Sequence, residues 1–198
     1  MAETAPPGFE RRIRGGRPVS RVSATLPNGL EVLVERVGLA PVAAVVAAYR
    51  AGSGLEGPHN RGYSHFLEHM LFKGTRRRTS SEFWQIIQRD GGIANAYTTR
   101  DATAYFEVVP ASRLEDVLDL EADRMCNALL DPDDIASERS VVLEERRTSC
   151  MDSPSGALDE ALHLAAFENH PVRHPILGYE TDISAFEEGP RVNPRGRM

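Results

Sequence analysis

Residues 65–75 read His-Phe-Leu-Glu-His-Met-Leu-Phe-Lys-Gly-Thr, and the interpretation of the whole chain turns on them. Ser64 is a suitable N-cap and Gly74 a natural stop, which predicts a helix from His65 to about Phe72. On that helix His65 and His69 are four residues apart, one turn above each other on the same face. Two imidazoles so placed can bind one metal ion. Glu68 lies on the same side, three residues after His65, where it reaches a water at the metal without being a ligand. The order of the central pair is reversed relative to the HExxH arrangement of zincins. Chance produces an HxxEH in on the order of one or two per cent of chains with this His and Glu content.

Upstream, Asn28-Gly29 is a turn signal, and Glu31 to Val37 alternates as a half-buried strand. Val42 to Ala51 is small and β-branched and reads as an interior strand. A loop rich in Gly, Pro, His and Asn then leads to the two histidines. Downstream, Thr79-Ser-Ser-Glu82 opens a helix with Phe83, Ile86 and Ile87 on one stripe, closed by Gly91-Gly92. Residues 94–109 are rich in Thr, Tyr and Val and end as a strand before Pro110. Residues 112–129 form an amphipathic helix with Leu114, Val117, Leu118, Glu121, Met125 and Leu129 on or near one face. Asp131-Pro132-Asp133 caps a long helix from about Ile135 to Arg147, whose last two arginines read as solvated. Ala157 to Phe167 is helical again. Strands and helices mixed in this order give an α+β class.

Composition sets the outer limits. The 198 residues are 41% hydrophobic and 26% charged, as in ordinary globular domains. The formal net charge of −6 argues against a general nucleic-acid binder. No run of 18 apolar residues exists, so no membrane span is expected. The first 23 residues lack the apolar region of a secretory signal, and a flexible tail in a cytoplasmic protein is the expectation. Their arginines keep mitochondrial targeting as an alternative. Cys126 and Cys150 read as reduced thiols. Of the 23 basic residues, 22 are arginine and one is a lysine, Lys73.

A catalytic zinc takes three protein ligands and keeps one position open. The helix from Ile135 offers Glu138, Glu144 and Glu145. Glu138 and Glu145 are seven residues apart and share a face, whereas Glu144 is turned about 100° from Glu145. One of the pair can ligate while the other hydrogen-bonds a ligating histidine. Spacing alone leaves open which does which.

The segment at 65–75 resembles the zinc motif of the M16 (pitrilysin/insulinase) metallopeptidases, and most closely their processing-peptidase-like branch. Three further segments are similar to that family in order: LPNGLEVLVE at 26–35, GGIANAYTTRDATAYFEVV at 91–109 and ERSVVLEERR at 138–147. The resemblance implies the N-terminal domain of that family, a mixed, mainly antiparallel sheet with helices packed on it, over residues 24–188. It implies Zn2+ held by His65, His69 and Glu145, with Glu138 as the supporting carboxylate and Glu68 as general base. Asn95 and Ala96 fall where the family's edge strand receives a peptide substrate. The implied function is zinc-dependent endoproteolysis of extended peptides or presequences. Family members of this branch are about twice as long, with two homologous halves enclosing a chamber. The expectation is therefore a domain incomplete at its C-terminus, needing a second half or a partner subunit for activity. Residues 189–198, GPRVNPRGRM, match nothing in the family and read as a non-homologous basic tail, from a shifted frame or a truncation near Glu187. The alternative is an inactive fragment or structural subunit that still binds zinc.

Overall fold

A computed structural model describes residues 9–14 and 17–186 of the chain. The tail at 189–198 lies outside the described residues. The chain divides into two compact units between Pro41 and Val42.

The first unit is a three-stranded antiparallel sheet in the order β1 (Phe9–Arg14), β2 (Arg17–Thr25), β3 (Glu31–Arg36). The flexible tail expected through residue 23 is thus corrected where it is described, because β3 supplies β2 with a pairing partner: Val22 lies opposite Val34 and Ala24 opposite Val32. The predicted turn at Asn28-Gly29 is present. Gly29 sits at φ 88°, a left-handed conformation that glycine adopts without a Cβ clash, and the Asn28 side chain accepts the Leu30 N–H at 3.1 Å.

The second unit is built on another antiparallel sheet, in the order β4 (Val42–Tyr49), β6 (Thr103–Pro110), β5 (Ile93–Thr98). β4 was expected in a sheet interior; among the described residues it is an edge, paired only with β6. Helices pack on the sheet face that carries Tyr105, Glu107 and Val109 of β6. α2 (Ser80–Gln88) begins in the expected capping box of Thr79 and Glu82, and its Phe83 and Ile87 pack with Val109 and with Val117 and Leu120 of α3 (Leu114–Asn127).

The buried face of α3 keeps Val117 and Glu121 of the expected stripe but is rotated away from the rest of it. Leu118 and Met125 are 50% and 47% exposed, while Leu120 and Arg124 are buried. Charge pairing explains the rotation. Arg124 donates from Nη2 to Glu107 Oε1 at 2.8 Å and also to Glu121, and its guanidinium lies 4.4 Å from the Tyr105 ring centre and 5.0 Å from that of Phe72. Two buried carboxyl groups, Glu107 on the central strand and Glu121 on α3, share one cation, and α3 turns its arginine inward to meet them.

The remaining helices are α1 (Tyr63–Met70), α4 (Pro132–Arg146), α5 (Pro154–Ala166) and α6 (Glu180–Ser184). A second core cluster joins three of them: Phe66 and Met70 of α1, Ile135 and Val142 of α4, and Ile183 of α6 with Phe186 beyond it. Phe186 stacks on Tyr63 at 4.2 Å. No helix among the described residues is long and apolar enough to cross a membrane.

Candidate metal centre

The site forms where α1 meets α4. Phe66 and Met70 point α1 into the core, which places their predecessors His65 and His69 at the rim of the buried stripe. On α4 the core residues Ile135 and Val142 alternate with Glu138 and Glu145 at spacings of three and four, so all four share one face. Packing the two apolar pairs together therefore brings two imidazoles against two carboxylates.

The start of α1 is set differently from expectation. The capping position is Gly62, not Ser64, and Gly62 has φ 94° with no side chain to cap. A Cβ there would lie 2.3 Å from the Leu177 carbonyl oxygen. The Glu56 side chain takes over the cap, accepting the Gly62 and Ser64 N–H groups at 2.6 Å each. A carboxylate at a helix N-terminus also meets the positive end of the helix dipole.

His65 Nε2 lies 3.6 Å from Glu145 Oε1, and His69 Nε2 lies 3.4 Å from Glu145 Oε2. Donors bound tetrahedrally at zinc distances are separated by about 3.4 Å, so the three side chains already span the edges of such a site. Their ligand atoms all fall within 4.8 Å of one another, the arrangement of a group able to hold a metal ion. Burial, and secondarily the neighbouring His69, pushes the His65 imidazole down to a pKa of about 4 against the pull of Glu145. It is therefore neutral at pH 7, with a lone pair free for a metal. For His69, burial works downward, but the hydrogen bonds it donates to Glu145 and Glu138 outweigh it and raise the imidazole. Glu145 is held below its ordinary value, first by the His69 hydrogen bond.

Glu138 accepts from His69 Nδ1 at 2.8 Å, which leaves Nε2 to face Glu145. Glu145 thus faces both imidazoles, whereas Glu138 reaches the far nitrogen of one. Glu144 is exposed and pairs with Arg147, away from the group. Arg146, expected in solvent, is buried and bidentate on Glu160 of α5 at 2.9 and 3.0 Å.

Glu68 stands on α1 beside this group. Burial pushes its carboxyl upward in pKa, opposed by a hydrogen bond from Thr98 Oγ1 at 2.5 Å. Thr98 lies in the Thr-, Tyr- and Val-rich stretch that read only as strand-forming. Its register opposite Thr103 puts its hydroxyl on the helix side of the sheet, where Thr103 in turn donates to the Ala51 carbonyl at 2.9 Å. Lys73 was also missed as a site residue; its ammonium contacts Glu138 Oε2.

Asn95 and Ala96 lie on β5, opposite Phe106 and Tyr105 of β6. β5 is an edge among the described residues, and the Asn95 side chain accepts the Ala96 N–H at 2.9 Å.

Known proteins resemble this chain over most of its length. A family model described as Insulinase (Peptidase family M16) matches residues 32–180. The chain is 38% identical over 173 residues to an uncharacterized zinc protease of Mycobacterium leprae, covering 87% of this chain and 39% of that protein. It is 34% identical over 174 residues to the mitochondrial-processing peptidase subunit beta of Caenorhabditis elegans, covering 85% and 38%. The chain thus spans about two fifths of the length of these relatives. Among solved structures, a protease from Helicobacter pylori superposes with a TM-score of 0.80 at 36% identity, over 83% of this chain and 40% of that one. Pitrilysin shares the fold, with a TM-score of 0.75 at 23% identity, over 88% of this chain and 19% of its own. An inverted histidine–glutamate helix, a facing glutamate helix and a matching fold over most of its length lead to one conclusion: this chain belongs to the M16 (insulinase) peptidase family.

Proposed function

We propose that this chain carries the zinc site and the proton-transferring carboxylate of a metalloendopeptidase that hydrolyses extended peptides or presequences. The remaining substrate surface comes from a second half or a partner subunit. The observation that carries the reading is the convergence of His65 and His69 of α1 with Glu145 of α4, with Glu68 beside the two histidines on α1. The naming of relatives as zinc proteases supports zinc as the ion. The naming of another as a processing-peptidase subunit supports a partner.

His65, His69 and Glu145 hold the ion in this proposal, and Glu138 fixes the tautomer of His69 through Nδ1. A bound zinc lowers the pKa of water toward 7 and polarises the scissile carbonyl. Glu68 takes the proton of the attacking water and returns one to the leaving amine. Its raised pKa suits both halves of that transfer, and Thr98 orients the carboxylate. The open edge of β5 at Asn95 and Ala96 accepts the peptide as an added strand, once the Asn95 side chain releases the Ala96 N–H.

The competing reading is a zinc-binding fragment or structural subunit without activity. A buried carboxylate held by Thr98 beside the donor group favours chemistry, since metal binding alone has no use for Glu68.

The test is zinc content per chain, followed by cleavage of an unstructured peptide, alone and with candidate partner subunits. The parent should hold about one zinc and His69→Ala none. Glu68→Gln should keep its zinc and lose activity by about 10²-fold or more. A folded parent without zinc refutes the proposal.

A further inference from the structure

We propose that Lys73 is a positioning residue for the metal site, aligning Glu138 so that it holds His69. The inference rests on the zinc-site reading above and extends it to a residue outside the ligand set.

Glu138 is the link between two groups. One oxygen, Oε1, meets His69 Nδ1 at 2.8 Å, and the other, Oε2, meets the Lys73 ammonium. The Glu138 side chain is 9% exposed and that of Lys73 is 28% exposed, so water competes weakly for the carboxylate. Without Lys73, Glu138 would keep a single strong partner and could rotate about its terminal bond. With Lys73 in place, both oxygens are assigned and Oε1 stays in line with the imidazole.

The backbone of Lys73 is itself fixed. Its N–H donates to the Met70 carbonyl at 3.0 Å. Gly74 accepts from Leu129 N at 3.0 Å, and Thr75 Oγ1 donates to the buried Asp123 at 2.7 Å. Arg78 adds a bond to the same carboxylate at 2.9 Å. The turn after α1 is thus anchored to α3, and the lysine reaches back from a rigid base.

The residue type also matters. The chain has 22 arginines and this one lysine. A guanidinium presents a planar fork that addresses both oxygens of a carboxylate. At this position such a fork would compete with His69 for Oε1. An ammonium is a point charge that takes one oxygen and leaves the other free. The sole lysine therefore stands where a single-point cation is required.

The experiment measures zinc affinity of the full chain by competition with a chromophoric chelator, with circular dichroism of the zinc-free and loaded forms as the control for folding. Lys73→Met should weaken zinc binding by about 10-fold, within the range of outer-partner substitutions at metal sites. In a Glu138→Gln background the same change should cost less than about twofold, because the lysine acts through that carboxylate. Lys73→Arg should bind at least about threefold more weakly than the parent. A Lys73→Met variant that lowers thermal stability but keeps parent affinity overturns the inference, as does an equal loss in both backgrounds. Parent affinity in Lys73→Arg overturns the single-contact geometry. A parent that takes up no zinc overturns the metal-site reading and this inference with it, whereas a zinc-binding parent matched by Lys73→Met overturns this inference alone.

Discussion

Glu107 offers the sharpest test of the energetics. It is 0% exposed on the central strand and shares the Arg124 guanidinium with Glu121. Two carboxylates and one cation leave an excess negative charge if all are ionised. Burial first, and then hydrogen bonding to Glu121, push Glu107 up to a pKa of about 8, against the opposing pull of Arg124. At pH 7 Glu107 therefore keeps its proton, which relieves that excess charge around the shared guanidinium. Glutamine has the shape of a protonated glutamic acid, so Glu107→Gln should cost less than about 1 kcal/mol at pH 5–6. The sign of the pH dependence follows from linkage. A carboxyl raised in the folded state binds its proton more tightly there than in the unfolded chain. Its stabilising effect is complete below the ordinary carboxylate pKa and is lost as pH rises toward 8. Each pH unit in that window is worth about 1.4 kcal/mol, so the parent should lose up to about 5 kcal/mol that the variant keeps. The assay is urea unfolding of zinc-free parent and variant at pH 5 to 9, reading the difference between them. Subtraction removes the histidines common to both. Curves that run parallel from pH 5 to 8 would show that Glu107 ionises at an ordinary value, and the account of a protonated Glu107 would fail.

Two further outcomes follow from positions near the site. Thr98→Val removes the hydroxyl that orients Glu68 at 2.5 Å while keeping the side-chain shape. Zinc content should be unchanged and kcat should fall roughly 10-fold, consistent with about 1–2 kcal/mol for a hydrogen bond to a charged group; an unchanged kcat would remove Thr98 from the mechanism. Gly62→Ala forces a Cβ into a residue at φ 94° and to within 2.3 Å of the Leu177 carbonyl oxygen. Denaturant unfolding should show a loss of at least about 2 kcal/mol, from the left-handed backbone and the clash together, and a variant as stable as the parent would contradict the described turn.

What could be seen in the sequence was local and periodic. The i, i+4 histidines and the seven-residue glutamate spacing are properties of a helix surface, and they hold whatever the helix packs against. The capping box at Thr79 and the turn at Asn28-Gly29 are likewise settled within four residues. What could not be seen depends on partners distant in the chain. Glu56 caps α1 from outside the helix. Thr98 meets Glu68 across 30 residues, and Glu107 draws Arg124 inward across 17. In α3, hydrophobic periodicity selected Leu118 and Met125 along with Val117 and Glu121, and the buried charges turned the helix so that Arg124 replaces Leu118 and Met125 on the inner face. Periodicity ranks residues by apolarity, so it misplaces a helix whose inward residues include the counter-ions of a strand.

The same reasoning shows why the donor group needs no loop to assemble it. On α1 the apolar pair and the imidazole pair are offset by one residue. On α4 the apolar pair and the carboxylate pair interleave at three and four. The core contacts of Phe66, Met70, Ile135 and Val142 therefore fix the distance between the two sets of donors before any ion is present. A zinc finger must fold as it binds, and its metal affinity has to offset that ordering. Here the ordering is done by buried side chains. On the proposed reading the donors are graded in exposure, with His65 at 9%, His69 at 21% and Glu145 at 41%. The two imidazoles on one helix form its more buried edge, and the half-exposed carboxylate opposite leaves a solvent-facing side through which, on that reading, an ion would reach them.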